Sequence, residues 1–301
     1  MIGRDGSWTA DTVVVFGAGG MLGKAVCEQL MRCGHRAVAL TRVECDVTYA
    51  GEIREALGRP GVTACVNCAG FTDVDIASRE FGEAFLVNGQ APGIIARLAA
   101  ERGQYLVHVS TDHVFRGDSE TPYAEDDCTG PVNGYGLSKK FGEDEINRTS
   151  CNHTIIRLQW LYGGPRDFPS KIIARAALDD EPIDVVADMG APTDVYDAAR
   201  AIVRCLDHRR RGVWHYAARG LVSRADWART VLELTDGGEP WRVRDVTDAP
   251  AACAPRPHRV ELDCSKIDAA DAVDAMPGDE TRPDWLDAFT DYMAAREGGQ
   301  R

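Results

Sequence analysis

Short apolar runs alternate with helix-like segments along the first half of the chain. The runs are TVVVF (12–16), AVAL (37–40), ACVN (64–67), YLVHVS (105–110) and HTIIRL (153–158). The first is continuously apolar, as expected for a parallel strand that is buried on both faces. Strands that alternate with helices at this spacing predict an α/β fold, a Rossmann-type doubly wound parallel sheet with right-handed crossovers.

A glycine-rich turn joins the first predicted strand to the first predicted helix. Gly17, Gly20 and Gly23 form the pattern G-x-x-G-x-x-G. Small residues here let the backbone approach a pyrophosphate, and the helix N-terminus offers unpaired N–H groups and a positive dipole end. The strand–turn–helix context favours a dinucleotide site over a tight turn with nothing bound. The cofactor contacts predicted in this turn are Gly17, Gly19, Gly20, Met21, Leu22 and Gly23.

The end of the second predicted strand bears on the choice of cofactor. A site selective for NAD usually has an acidic residue there, which accepts from the ribose hydroxyls. Here Thr41 and Arg42 take its place, and Arg42 can pair with a 2′-phosphate. We therefore expect NADPH, with NADH as the alternative if Arg42 is only a solvated surface residue. Asp46 and Val47 fall where a following loop would touch the adenine.

Beyond Trp160 the alternation loosens. We divide the chain into a disordered tail (1–10), an NAD(P)-binding Rossmann domain (11–165, to which a strand and helix near 183–207 return) and a remainder (166–301). The remainder is mainly a smaller C-terminal α/β substrate-binding lobe. We expect the lobe to lie over the carboxyl edge of the sheet, where open α/β sheets bind ligands.

Composition excludes several classes of protein. The 301 residues are 44% hydrophobic and carry a formal net charge of −13, which disfavours nucleic acid as a partner. No apolar run approaches the roughly 20 residues that span a bilayer, so we expect no membrane partner and a cytoplasmic protein. The ten cysteines are scattered. Cys65 and Cys68 lie in the stretch ACVNCAG, which reads as a strand and would send side chains three apart to opposite faces. We therefore expect reduced thiols and no metal.

Three residues form the predicted reacting group. Tyr135 and Lys139, in YGLSK, are four apart on a predicted helix and share one face. An ammonium beside a phenol favours the phenolate and moves the phenol toward useful acid strength. Thr111, at the end of the fourth strand, can donate to a carbonyl oxygen. Together with the glycine turn they predict a hydride-transfer site, and we count Tyr135 and Lys139 among the cofactor contacts as well.

Eight motifs in order extend this pattern over essentially the whole chain: GAGGMLG, ECDVT, VNCAGFTDVD, STDHVF, YGLSK, RLQWLYG, MGAPT and LDCSK. The chain thereby resembles the dTDP-4-dehydrorhamnose reductase family of extended short-chain dehydrogenases/reductases. The resemblance implies an NAD(P)H-dependent ketoreductase. Such an enzyme reduces the C4 keto group of a nucleotide-activated 4-keto-6-deoxyhexose in deoxysugar biosynthesis.

The resemblance also assigns roles to individual residues. Thr111, Tyr135 and Lys139 become the catalytic residues. The loop beside the nicotinamide and its ribose is Ala69, Gly70, Phe71 and Thr72. The substrate contacts are Thr72, Val74, Asp112, His113, Trp160 and Arg256. Trp160 is expected against the sugar ring, with a core aromatic as the alternative; His113 stands where the family has a tyrosine.

Two other functions remain open at this point. Related sugar-nucleotide dehydratases place an Asp-Glu pair after the strand-end Thr, and epimerases usually have a Ser-rich stretch there. STDHVF matches neither. The same family includes a regulatory subunit of methionine adenosyltransferase, which uses this fold to bind a partner protein. The sequence leaves three points open: whether the protein forms a homodimer, which nucleotide the substrate carries, and which keto-sugar is reduced.

Overall fold

Six parallel strands form the central sheet of the computed structural model, which describes residues 11–247, 253–274 and 281–298. The strand order is β10-β5-β4-β3-β1-β2, with each strand defined below, and every neighbouring pair is parallel. The predicted α/β fold with a Rossmann-type sheet is therefore confirmed. The tail predicted at 1–10 lies outside the described residues.

The first half of the chain supplies five of the six strands. Its elements are β1 (Thr12–Phe16), α1 (Met21–Arg32), β2 (Arg36–Leu40), α2 (Ala50–Leu57), β3 (Val62–Asn67), α3 (Val74–Arg79), α4 (Phe81–Ala84), α5 (Ala91–Ala100), β4 (Tyr105–Thr111), α6 (Gly134–Asn147) and β5 (Asn152–Leu158). A π-helical turn, Phe85–Gln90, interrupts the helical segment between α4 and α5. Pro92 explains the interruption, because it has no N–H to donate to the Asn88 carbonyl four residues earlier.

The second half supplies the sixth strand and the smaller lobe. Its elements are β6 (Leu161–Tyr162), α7 (Phe168–Ala176), β7 (Ile183–Val186), β8 (Met189–Gly190), β9 (Thr193–Asp194), α8 (Val195–Asp207), β10 (Gly212–Tyr216), β11 (Val222–Ser223), α9 (Arg224–Glu233), β12 (Val243–Val246), α10 (Ser265–Asp274) and α11 (Trp285–Glu297). The helices of the lobe, α7, α9 and α11, pack around the buried aromatic rings of Tyr162, Trp227 and Phe289.

One expectation about the returning segment is corrected. The helix expected near 195–207 does return to the sheet, as α8, and packs against α1. The strand expected near 183 does not: β7 pairs with β12 in the lobe, and the strand that joins the sheet is β10, beside β5. The burial of β7 explains this, because Asp184 is exposed between buried Ile183 and Val185. Such a half-exposed strand does not suit a parallel sheet that is covered on both faces.

Helices cover both faces of the sheet, and β1 shows how its residues divide between them. Val13 and Val15 pack in a cluster with residues of α1 and α8. Val14 and Phe16 pack on the other side, in a cluster with residues of α2 and α5. Because both faces are buried, the carboxyl edge is where polar side chains can project toward a ligand.

Two features concern disulfide bonds and membrane spans: the state of the cysteines, and the length and hydrophobicity of the helices. All ten cysteines are free thiols. Burial raises the pKa of the Cys68 thiol to about 12 and raises that of Cys65 still further, so both are protonated at neutral pH. Among the described residues, no helix has the length and apolar character required to cross a membrane.

Candidate active site

The predicted site residues follow the carboxyl ends of four neighbouring strands. Because the strands are parallel, their carboxyl ends lie at one edge of the sheet. The glycine turn follows β1, the Ala69 loop follows β3, and Trp160 follows β5. Between them, β4 ends at Thr111 and continues into a short 3₁₀ turn, Asp112–Val114. The sequence therefore identified one edge, and the structure brings these segments together there.

The glycine turn after β1 has the bare backbone that a dinucleotide requires. Gly17 has φ +74°, and a Cβ on it would lie 2.5 Å from the Ala69 nitrogen. A Cβ on Gly23 would lie 2.3 Å from the Gly17 carbonyl oxygen, so α1 starts close against the turn. Gly19 and Gly20 are exposed, and Gly20 is the N-cap of α1. This exposed backbone at a helix N-terminus fits a pyrophosphate.

Met21 and Leu22, the other two contacts predicted in the glycine turn, differ in how deeply their side chains are buried. Met21 is partly buried, at the first position of α1. Leu22 is buried in the core cluster on the α1 face of the sheet. Only the backbone N–H of Leu22 can therefore take part in binding, since its side chain is committed to packing.

The loop after β3 is held by two asparagine side chains. Asn67 Oδ1 accepts from the Ala69 N–H at 3.1 Å. Asn88 Oδ1 accepts from the Phe71 N–H at 2.8 Å, and its Nδ2 donates to the Phe71 carbonyl and to Ser138 Oγ. Asn88 is fully buried. No motif pointed to it, although an asparagine four residues before a proline, in a segment rich in apolar residues, is a signal that the sequence offers.

The segment that follows β2 carries a basic side chain, Arg42, and an acidic one, Glu44. The Arg42 side chain is 86% exposed and pairs only loosely with Asp46, at 3.4 Å. The Glu44 carboxylate accepts from the Thr41 N–H and hydroxyl, which holds its pKa below the ordinary value. No sequence pattern had assigned Glu44 a role. Arg42 is thus free to meet a phosphate, but a carboxylate lies beside it.

The two residues expected near the adenine lie in different environments. Asp46 accepts from the backbone N–H and hydroxyl of Thr48, and these hydrogen bonds hold its pKa low. Val47 is buried in the core cluster on the α2 face of the sheet. The Val47 side chain therefore packs mainly in the core, and the adenine contact expected of it stays a prediction.

Thr111 and Tyr135 form the polar centre of the site. Asn133 begins α6 by accepting the Gly136 N–H with its side chain, and this places Tyr135 in the first turn. Burial raises the pKa of Tyr135 to about 12, while a hydrogen bond with Thr111 acts in the opposite direction. Because the phenol stays protonated at neutral pH, it can serve as a proton donor.

Lys139 does not act on Tyr135 in the way that its spacing predicted. It is buried on α6 and donates through Nζ to the Val109 carbonyl at 2.5 Å, with His108 Nε2 at 3.4 Å. Burial lowers the pKa of Lys139 to about 8. The charge that acts on the Tyr135 phenol is that of Asp112, which raises its pKa. The expected lowering of the phenol pKa by the ammonium is therefore corrected.

Asp112 and His113 are held in place by residues from other elements. Asp112 accepts from the Thr111 hydroxyl and from Gln159 Nε2, both at 3.0 Å. The His113 ring lies 5.4 Å from the Tyr135 ring, edge to face, and its Nδ1 meets Asn133 Nδ2 at 3.1 Å. Burial lowers the pKa of His113, so its imidazole is neutral. His113 thus lies directly against the predicted proton donor.

Trp160 packs against a cation, Arg224, that no sequence pattern indicated. Trp160 has φ +41°, and a Cβ on Gly190 would lie 2.4 Å from its ring. The guanidinium carbon of Arg224, the first residue of α9, lies 3.9 Å from the Trp160 ring centroid. Burial lowers the pKa of Arg224 to about 10, and Asp188 and Asp112 oppose this, so it remains charged. No sequence motif connects Arg224 to this site.

The three remaining substrate candidates lie on or near α3. Thr72 is exposed, and Val74 is the first residue of α3. Arg256 donates to both oxygens of Asp75, at 2.6 and 3.0 Å, and its pKa is raised because this pairing outweighs burial. The Arg256 guanidinium is thus already paired within the chain, unlike that of Arg224.

Comparisons with known proteins agree with this geometry. The family model described as "RmlD substrate binding domain" matches residues 11–290, and so covers the sheet as well as the lobe. A dTDP-4-dehydrorhamnose reductase of Mycolicibacterium smegmatis is 37% identical over 295 residues, which is 96% of this chain and 87% of that protein. A dTDP-4-keto-6-deoxy-D-glucose reductase of Streptomyces niveus is 38% identical, over 78% of this chain and 82% of its own.

A solved structure shows the same likeness in three dimensions. The dTDP-4-dehydrorhamnose reductase of Bacillus anthracis, in complex with NADP, superposes with a TM-score of 0.83 at 26% identity. The match covers 96% of this chain and 99% of that one. The similarity therefore extends over both the sheet and the lobe.

Proposed function

The chain belongs to the RmlD substrate-binding-domain family, and on that premise we propose that it is an NADPH-dependent sugar-nucleotide ketoreductase. It reduces the C4 keto group of a nucleotide-activated 4-keto-6-deoxyhexose, for deoxysugar biosynthesis. The observation that carries the proposal is the meeting of Thr111, Tyr135 and Lys139 at the carboxyl end of β4, beside the glycine turn. The sugar nucleotides named for its relatives are of this substrate class.

The residues that would hold the cofactor come from three strand ends. The exposed backbone of Gly19 and Gly20 takes the pyrophosphate, and Arg42 takes the 2′-phosphate. The loop at Ala69 and Phe71, fixed by the two asparagines, lies beside the nicotinamide and its ribose. When bound, the reduced cofactor supplies the hydride. Because Glu44 repels a phosphate near Arg42, the preference for NADPH is moderate and NADH also serves.

Tyr135 is the proton donor in the proposed reaction. Its phenol is protonated at neutral pH and gives its proton to the oxygen that develops negative charge as the carbonyl is reduced. Thr111 donates to the same oxygen and fixes its position. Lys139 returns a proton to the Tyr135 oxygen after each turnover.

The substrate is held between the sheet edge and the lobe. Asp112 accepts from sugar hydroxyls, and His113 and Trp160 border the ring. Arg224 supplies a charged guanidinium on the lobe side, where it can pair with an anionic diphosphate. Arg256 acts mainly through its ion pair with Asp75, which fixes the wall of the site.

Two further properties are part of the proposal. Ten free thiols support a reducing compartment, the cytoplasm. An apolar patch on the outer side of α6 and the adjacent π-helical turn supports a homodimer: Leu86, Leu137 and Phe141 are exposed there, and the Phe141 ring packs on Phe85. Light scattering on the purified protein and on Leu86→Glu tests the dimer; a parent protein with the mass of a monomer would rule it out.

Oxidation of NADPH in the presence of dTDP-4-keto-6-deoxy sugars tests the activity. We expect the loss of absorbance at 340 nm to require the keto-sugar and to slow about 100-fold or more in Tyr135→Phe. The competing function is that of a regulatory subunit that binds a partner protein. Cofactor binding without oxidation over a panel of keto-sugar nucleotides would favour that function and contradict ours.

A further inference from the structure

Three buried polar side chains connect β3 to the catalytic helix across β4. Asn67 ends β3, His108 lies within β4 and Lys139 lies on α6. Asn67 and His108 are fully buried, and no step proposed so far uses His108. We infer that Asn67 fixes His108 as the Nε2–H tautomer, and that this N–H group faces the amino group of Lys139, where it favours the amine over the ammonium.

The orientation of the Asn67 amide is the first step. Asn67 Oδ1 accepts from the Ala69 N–H at 3.1 Å. If the amide were flipped, its NH₂ group would face the Ala69 N–H, and two donors would meet without an acceptor. The Asn67 NH₂ therefore points to the other neighbour, His108 Nδ1, at 3.1 Å. Nδ1 must accept this hydrogen bond.

The tautomer of His108 follows from its charge. Complete burial, with Lys139 nearby, holds the pKa of His108 well below its ordinary value, so the ring is neutral. A neutral imidazole carries one N–H. Because Nδ1 accepts, that hydrogen is on Nε2, which lies 3.4 Å from Lys139 Nζ. An ammonium has no lone pair with which to accept it, whereas an amine has one, so this contact disfavours the ammonium without abolishing it.

The other groups around Lys139 act on the same equilibrium between amine and ammonium. Its Nζ donates to the Val109 carbonyl, which uses one of its hydrogens. Glu143, one turn along α6, favours the ammonium, but both its oxygens are bound by Arg157. Cys68, after β3, is protonated. Burial dominates and lowers the pKa of Lys139 to about 8, in the direction that the tautomer requires.

His108 is then a positioning residue that acts through Lys139. In each reduction the Tyr135 O–H proton becomes the product hydroxyl proton. The Tyr135 oxygen regains a proton from the Lys139 ammonium, and the resulting amine takes one from solvent. A lysine whose pKa is close to the working pH exchanges protons most effectively. This consequence rests on the proposed reductase activity, whereas the tautomer does not.

The first experiment reads the tautomer directly. Long-range ¹H–¹⁵N spectra of the protein with ¹⁵N-labelled histidine distinguish Nδ1–H from Nε2–H, without cofactor or substrate. The chain has seven histidines, and the His108 signals are those lost in His108→Gln. We expect the Nε2–H form at pH 7. An Nδ1–H form or a doubly protonated ring would overturn the inference, whatever the protein catalyses.

The second experiment measures the pKa of Lys139. A glutamine at position 108 is neutral and can offer a carbonyl oxygen to an ammonium, so His108→Gln should raise the pKa of Lys139 by about one unit or more. Titration of ¹⁵N-labelled lysine, with Lys139 assigned by Lys139→Met, measures this, and the alkaline limb of the kcat profile should move with it. Asn67→Asp, which forces a hydrogen onto Nδ1, should shift the pKa in the same direction. Unchanged pKa values in both folded variants would show that His108 does not act on Lys139.

Discussion

The guanidinium carbon of Arg224 lies 3.9 Å from the centroid of the Trp160 ring. Trp160 follows β5 and Arg224 begins α9, so this cation–π contact joins the sheet to the lobe. The described residues give the Arg224 guanidinium no hydrogen bond. Its donors are therefore available to a ligand.

Arg224→Ala should weaken substrate binding more than turnover. Loss of a charged hydrogen-bond donor costs about 1.5 to 3 kcal/mol, so we expect KM for the sugar nucleotide to rise roughly 10- to 100-fold. Arg224→Lys keeps the charge but loses the planar, forked arrangement of N–H donors. Its KM should therefore lie between those of the parent and Arg224→Ala. Steady-state kinetics at saturating NADPH measure this. A KM within twofold of the parent in both variants would limit Arg224 to packing against Trp160.

Tyr135→Phe removes the proton donor and keeps the ring. We expect kcat to fall about 100-fold or more, which is the usual range for general acid catalysis. Affinity for NADPH, measured by fluorescence titration, should stay within a few-fold. Turnover within threefold of the parent would contradict the assignment.

Arg42→Ala should reduce selectivity for NADPH. Only NADPH brings a phosphate to pair with Arg42, so its KM should rise about 10-fold while that of NADH changes little. Glu44→Gln is the opposite change, because it removes a carboxylate beside the same site, and should improve NADPH relative to NADH. Equal effects on both cofactors would show that these residues do not contact the 2′-phosphate.

His113→Tyr tests whether the residue at this position contacts the sugar and affects which sugar is preferred. The imidazole is neutral, is held by Asn133 and borders the Tyr135 ring, so a larger phenol there changes the space beside the reacting carbon. We expect activity on dTDP-4-dehydrorhamnose to rise relative to the native substrate. His113→Asn, which is smaller still, is the control. If neither variant changes the ratio while both bind cofactor normally, His113 is structural.

Glu143→Gln should destabilise the fold. Glu143 and Arg157 form a buried ion pair with two hydrogen bonds at 2.9 Å. Removal of one charge leaves the other buried and uncompensated, which costs about 3 to 5 kcal/mol. Urea unfolding measures the loss. Lys140→Gln, which removes a more exposed ion pair on the same helix, should cost less than about 1 kcal/mol.

The sequence predicted those parts of the site that local patterns encode. Strand periodicity located the sheet edge, and the spacing of Gly17, Gly20 and Gly23 located the turn before α1. Arg224 and Asn88 were missed because each acts through a contact with a residue distant in the chain. The role of Lys139 was misjudged for the same reason: helical spacing gave its face, but its partners are on β4.

The topology of the returning segment shows a second limit. The runs at 183–186 and 212–216 both look like strands, and the local difference between them is small: one acidic residue, Asp184, stands between apolar residues in the first. The pairing of the strands determines which run joins the sheet. β10 pairs with β5 over five residues, whereas β7 pairs with β12 in the lobe. Long-range pairing is what a single sequence pattern does not contain.

The Asn133 side chain limits how freely the two halves of this protein can be exchanged between relatives. Its oxygen accepts the Gly136 N–H that starts the catalytic helix, and its NH₂ donates to His113 and to the Pro255 carbonyl. One amide thus joins a helix start, a strand end and the last third of the chain. A chimera that took its lobe from another enzyme would have to reproduce the position of that one carbonyl, or the start of the catalytic helix would lose part of its support.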